Sequence, residues 1–262
     1  MPLSAVIFPV MISIMAHNAS KKILIGFLVF IFWIAVWDLL AFWVNNLFLL
    51  PTPYSTVVAL LSLMKTKTFY TVIFYTFLRV VFGVIFGVIF GVAFAFLSYK
   101  VVLIRKLFSP LVSIVKATPV VTFITLLWIS MSGNMLTVFI AFLMVVPIIW
   151  QNLLNGFDAI PRELSEVCDV FEVSKIKRMK ILTLPILMNY FFPALITSIG
   201  LAWKAEIATE IITYTHNSIG QNISDARYFL FTDEVFAWVV VIIAFSIGLE
   251  VLTKQILRRV KR

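Results

Sequence analysis

Charge is what this sequence has least of. Only 13% of its 262 residues are Asp, Glu, Lys or Arg, about half the share found in a soluble domain. A water-soluble fold of this length has too little interior to hide the 62% that are hydrophobic. There is a single cysteine, Cys168, which excludes an internal disulfide and, in a basic stretch, reads as an inert thiol. His17 and His216 are isolated, and no Cys, His or carboxylate cluster has ligand spacing, so no metal site is expected. No Ser-His-Asp set or paired carboxylate with a cleft can be read, which argues against catalysis. No G-x-x-x-x-G-K-[ST] phosphate loop occurs either, so nucleotide chemistry is not expected in this chain.

What the chain does have is long apolar runs. A helix needs roughly 20 residues to cross a hydrocarbon core, and six spans are read: 23–44, 80–98, the shorter 120–131 and 136–150 as a tight hairpin, 186–207 and 235–253. The first exceeds a signal-peptide core and lacks a small-x-small cleavage site, so it is expected to remain as a helix. The stretch 5–16 is too short to span and reads as an interfacial helix, or as upstream translation with Met15 as the start. Leu50-Pro51-Thr52-Pro53 breaks the pattern, and Ser55 is placed to cap a short helix over 57–64. The net charge of +9 does not call for a nucleic-acid partner, because the basic residues collect on one side of the spans. Sixteen of the 21 Lys and Arg fall in the two termini and in the loops after the second and fourth spans. By the positive-inside rule both termini and the loop 151–185 are cytoplasmic.

That loop reads Glu166-Val167-Cys168, three residues, Glu172, nine residues, then Leu182-Thr183-Leu184-Pro185. It resembles the EAA loop of ABC importer permeases: Glu-Ala-Ala, three residues, Gly, nine residues, Ile-x-Leu-Pro. Leu50-Pro51-Thr52-Pro53, Thr76-Phe77-Leu78-Arg79-Val80-Val81-Phe82-Gly83, Pro119 ahead of Leu126-Leu127-Trp128, and Gly200-Leu201-Ala202-Trp203 are similar to the nitrate, sulfonate and taurine branch. The resemblance covers residues 23–262. It implies an all-α polytopic membrane protein of the type I ABC importer permease fold, with a transport domain over 23–257, a segment 1–22 before it and a basic tail 258–262.

The resemblance further implies the partners: two ABC ATPase subunits that bind ATP and Mg, a second permease copy in a homodimer, an extracytoplasmic solute-binding protein and membrane lipid. The place would be the cell membrane, and the solute small and often anionic, such as nitrate, a sulfonate, taurine or a vitamin precursor. The EAA loop would seat on the ATPase through Glu163, Glu166, Val167, Cys168, Phe171, Glu172, Ser174, Leu184 and Pro185. The residues suit that role: Leu164, Val167, Cys168 and Phe171 fall on one helical face, and Ser174 is placed to cap a second, basic helix. Glu172 stands at the family glycine, so the turn there is expected to differ or to be strained.

Two further features are intramembrane. Gly83, Gly87 and Gly91 stand four apart on one face of the second span, which allows close helix approach within the subunit or between subunits. In the fifth span Lys204, Glu206 and Glu210, with Thr197, Ser198 and Thr209, are the candidate wall of a translocation path, because ionisable groups in spans are costly unless used. A structural Lys–Glu pair is the competing reading. Asp38, Arg79 and Glu250 are explained by snorkelling to the interface. An ion-coupled secondary transporter and a membrane-embedded enzyme are the alternatives from other classes. The first would usually carry an inverted repeat, which is not seen, and the second a polar catalytic cluster.

Overall fold

A computed structural model describes the backbone of residues 4–260 and the side chains of residues 24–256 and 259. Segment 1–22 therefore has no described side chains, and in the tail 258–262 the side chain of Arg259 alone is described. Among the described residues the regular structure is wholly helical: α1 (Ser4–Val44), α2 (Pro53–Leu63), α3 (Lys67–Lys100), α4 (Val102–Ala117), α5 (Val120–Trp128), α6 (Gly133–Asp158), α7 (Arg162–Val170), α8 (Lys175–Arg178), a π-helical turn (Met179–Thr183), α9 (Leu184–Thr213), α10 (Ile219–Tyr228) and α11 (Thr232–Val260). Five helical segments are long and apolar enough to cross a membrane, and a sixth span arises if the bent pair of α4 and α5 is taken as one.

The boundaries depart from the apolar runs in instructive ways. The stretch 5–16 is not a separate helix, since α1 continues through it from Ser4. α3 begins 13 residues before the run at 80, because Thr66 caps it by accepting from the Phe69 amide. The expected cap Ser55 is replaced by Thr52, whose side chain accepts from the Ser55 amide. The third span is not a simple helix over 120–131. α5 has nine residues, roughly 13 Å at 1.5 Å each, and joins α4 across a bend of 101°. Pro119 sits at that bend and Thr118 before it is extended, as the residue preceding a proline tends to be.

The inner part of the bundle is α3, α6 and α9 packed along their lengths. Between α3 and α6 the helices come close through the three glycines. A Cβ on Gly83 would lie 2.5 Å from the Ala141 Cβ, on Gly87 2.5 Å from the Val145 Cβ, and on Gly91 2.8 Å from the Ile149 Cβ. With no hydrophobic drive between helices in lipid, such backbone approach is what gives van der Waals packing its strength. Trp150 Nε1 donates to Ser98 Oγ at 2.9 Å lower in the same seam. Arg105 clamps Asp158 with two bonds of 2.9 and 2.6 Å, holding α4 to the end of α6. α10 closes the opposite end of the bundle between α9 and α11.

Candidate functional site

At one end of the bundle α7 and its flanking turns stand outside the candidate spans, and the helical piece from Lys175 onward is continuous with the span that ends at Thr213. α7 turns Cys168 inward, where it is buried, and presents Leu164, Val167, Val170 and Phe171 outward, the last 75% exposed. Glu163, Glu166 and Glu172 are exposed beside them. Glu172 has φ +47°, the left-handed conformation that costs a non-glycine residue about 1–2 kcal/mol. The turn it makes is nonetheless complete: Val173 N–H donates to Cys168 O at 2.9 Å and Glu172 N–H to Asp169 O at 3.2 Å, the paired bonds of a Schellman ending. The geometry a glycine would supply is thus kept, and strain is the consequence of the substitution. Glu172→Gly should raise the thermal midpoint of the detergent-purified protein, with a gain of up to about 1 kcal/mol. Unchanged melting would mean that the strain is relieved elsewhere.

Ser174 occupies the cap position just before Lys175, the start of the second helical piece, but its side chain makes no capping bond. That piece is also not free-standing. It passes through the π-helical turn into α9, with the Leu184 N–H reaching back to Met179 O. Pro185 follows and has no N–H to give, so a widened turn keeps its ring off the carbonyl one α-turn earlier. Leu184 and Pro185 thereby make a continuous mechanical link from the loop to α9, and Arg178 ties it to α7 through Asp169 at 2.6 Å.

Toward the α10 end lies a buried polar cluster that sequence reasoning divided wrongly. Arg79 does not snorkel; it is turned into the bundle and is 9% exposed. Its Nη1 donates to Glu210 Oε1 at 3.0 Å, and its Nη2 to Asn134 Oδ1 at 2.8 Å and to His216 O at 2.9 Å. Thr76 Oγ1 donates to Glu210 Oε1 at 2.7 Å, and the Gly220 amide to Glu210 Oε2 at 3.1 Å. One ion pair therefore joins α3, α6, α9 and α10. Gly220 is required here: a Cβ would lie 2.5 Å from the Ile211 backbone nitrogen. The partner of Glu210 is thus Arg79, 131 residues earlier. The signal available in the sequence was Arg79 itself, an ionisable residue inside an apolar run. Thr76, Asn134 and Gly220 gave none.

The six candidate path residues of α9 separate onto two faces. Ser198, Glu206, Thr209 and Glu210 are buried within the subunit, and the hydroxyls of Ser198 and Thr209 are spent on Ala194 O and Ala205 O, each at 2.7 Å. Glu206, one turn from Glu210, has both carboxyl oxygens buried without a hydrogen bond; the hydroxyl of the neighbouring Thr137 donates instead to Asn134 O at 2.9 Å. Thr197 and Lys204 are exposed on the other face. There they line a cavity of about 330 Å³ between α9 and α11, with Gly200, Ser246 and Glu250. Lys254 pairs with Glu250 from the next turn of α11.

The structure is thus a helical bundle with five or six candidate membrane spans and an exposed apolar ridge on α7. Residues 83–262 match the family described as binding-protein-dependent transport system inner membrane component, and the chain belongs to that family. It is an ABC transporter permease with several membrane spans. Over 112 residues it is also 31% identical to the bicarbonate transport system permease protein CmpB of Synechococcus elongatus and to the protein of the same name from Synechococcus sp.. The matched stretch is 42% of this chain and spans 40% of the length of each of these relatives.

Proposed function

We propose that this chain is the permease subunit of an ATP-driven importer that moves a small anionic solute across the cell membrane. Both termini and the α7 end lie in the cytoplasm, since the basic residues collect there, and α10 faces the extracytoplasmic binding protein that delivers the solute. Two ATPase subunits, which hold ATP and Mg, dock on residues 162–178, and a second permease copy completes the path. The observation that carries this reading is the ridge of Leu164, Val167, Val170 and Phe171. Apolar side chains in a row on a helix outside the spans need a protein cover. Closure of the ATPases would push on α7, and the Arg178–Asp169 pair and the unbroken passage through Pro185 would carry the motion into α9.

In this reading the exposed face of α9, with Thr197 and Lys204, is the wall of the path, and Glu206 with Glu210 sits in the brace behind it. A solute of the nitrate, sulfonate and taurine type suits Lys204, as does bicarbonate, the solute in the name of the relatives; a vitamin precursor of acid character is also compatible. The test is Glu166→Arg, which places a positive charge beside the ridge while leaving the spans untouched. It should lower the amount of ATPase recovered with the detergent-purified chain by roughly tenfold, about 1.4 kcal/mol of binding, with membrane insertion unchanged. Full ATPase recovery and normal transport in that variant would remove the docking assignment.

A further inference from the structure

Glu206 is a buried group that neither the fold nor the importer reading employs. Its side chain is 0% exposed, and among the described residues its two carboxyl oxygens are the only buried side-chain polar atoms without a hydrogen bond. A carboxyl without a partner is costly inside a span. Glu210, the next acidic residue of α9, is the opposite case, with Thr76 Oγ1, Arg79 Nη1 and the Gly220 amide all donating to its oxygens. One guanidinium thus faces two carboxyls stacked one helical turn apart, about 5.4 Å, and Arg79 acts electrostatically on both. Only Glu210 is bonded to it.

The bonds around this pair sort by the unit that owns them. Arg79 belongs with α3 and α6, which the glycine seam holds together, and Asn134 Oδ1 of α6 accepts from its Nη2 at 2.8 Å. Glu206 and Glu210 belong with α9. α10 belongs with α9 too, since the Gly220 amide donates to Glu210 Oε2 and Gly220 lies against the backbone of Ile211. The remaining bonds all cross between the two units: Arg79 to Glu210 Oε1 and to the carbonyls of His216 and Asn217, Thr76 Oγ1 to Glu210 Oε1, and the Ile219 amide to Thr76 Oγ1. A displacement of α9 by one turn toward its α10 end, made up in part by the length of the arginine side chain, breaks that set together and brings Glu206 to Arg79. Packed helices do step past one another by whole turns. We propose that Arg79 and its two carboxyls form a two-position latch. Seated on Glu210, as in this structure, Arg79 fastens α10 to α3; seated on Glu206, it releases α10 and opens that end of the bundle. Its purpose rests on the importer reading above: force received at α7 and carried along α9 would open the end that meets the binding protein.

The experiment is maleimide labelling of a Thr215→Cys parent, purified in mild detergent and read by peptide mass spectrometry so that Cys168 is counted separately. Thr215 is 3% exposed in the turn between α9 and α10, so its rate of labelling reports release of that turn. Glu210→Gln takes the charge from the occupied seat and should send Arg79 to Glu206, raising the rate by roughly tenfold or more. Adding Glu206→Gln removes the second seat, leaves Arg79 on the carbonyls of His216 and Asn217, and should bring the rate back close to that of the parent. Glu206→Gln alone should label no faster than the parent. If Glu210→Gln gives no monodisperse protein, Thr76→Val weakens the same seat at similar volume, and Glu206→Gln should reverse its effect in the same way. Fast labelling that persists when Glu206→Gln is added, or no rise when the Glu210 seat is weakened, would overturn the latch. A brace merely damaged at Glu210 would not be repaired by a second change at Glu206. Failure of the importer reading would show apart from these rates, as the chain purified with no ATPase.

Discussion

Arg79→Ala should be the most damaging single polar substitution in the chain, at about 3–5 kcal/mol, because it leaves Glu210 buried and charged with its cation gone. The geometry gives the reason. Glu210 is 0% exposed, and the guanidinium that faces it also holds Asn134 and the carbonyls of His216 and Asn217. Losing Arg79 therefore frees the turn between α9 and α10 as well as the carboxylate. Size-exclusion of the detergent-purified variant should show loss of the monodisperse peak, and thermal unfolding a large fall in midpoint. The pair can be separated from its parts. Arg79→Met combined with Glu210→Gln removes both charges at similar volume, and replacing a buried pair in this way is often close to neutral. The double variant should thus recover most of the loss. If the two single effects simply add, the Arg79 cost comes from packing and the carbonyl contacts, and the ion pair is not the source of the stability.

This brace marks where reading the sequence stops. The apolar runs located the spans because lipid forces backbone groups to be satisfied within a helix, so hydropathy and length carry nearly all of the information. Their ends were less visible. α3 extends over residues 67–79 because Thr66 caps it ahead of the purely apolar stretch, and Phe69 there stacks on Trp238 of α11. The bend between α4 and α5 was hidden for a different reason. α4 mixes Arg105, Lys106 and Lys116 into an amphipathic helix, which reads as a loop when charge is used to define loops. The loop expected over 151–185 begins later than the polar residues suggest, because α6 runs on to Asp158, and its mechanics were not legible. That Glu172 accepts a positive φ, and that Pro185 opens a π turn, depend on bonds between residues three to five apart in a fold already formed.

The site residues show the same division. Facing directions on α9 follow from 3.6 residues per turn, and Glu206 and Glu210 could be placed together from sequence. Which neighbour each face meets could not. Arg79 is reached only through the packing of α3 against α9, and a residue 131 positions away leaves no periodic trace. Lys204 and Glu250 line one cavity between α9 and α11 for the same kind of reason: Trp203 stacked on Phe245 sets the level of one helix against the other. Sequence supplied the costly residues, and the fold supplied their partners.

Gly87→Leu carries the second large expected effect. The seam of α3 on α6 is built on three close approaches, and the middle one has no slack: a Cβ at Gly87 would lie 2.5 Å from the Val145 Cβ, 2.7 Å from its Cγ1 and 3.3 Å from the Phe142 carbonyl oxygen. Val145 is 0% exposed and β-branched, so it has no free rotamer into which it can retreat. The helices must part. Overpacking of this kind typically costs about 1–3 kcal/mol, and the parting also loosens the Gly83 and Gly91 contacts and strains the Arg79–Glu210 pair above them. A loss at the upper end of that range or beyond is expected, read as a fall in thermal midpoint and in recovery of intact protein. Gly26→Leu is the control, since a Cβ there meets nothing within 4 Å and leucine is the better helix former by roughly 0.5–1 kcal/mol. That control should be neutral or slightly stabilising. Equal damage from both would mean that the membrane insertion of a longer side chain, and not the closeness of α3 to α6, sets the cost. Damage from Gly87→Leu alone would place the mechanical rigidity of the bundle in this seam of α3 on α6.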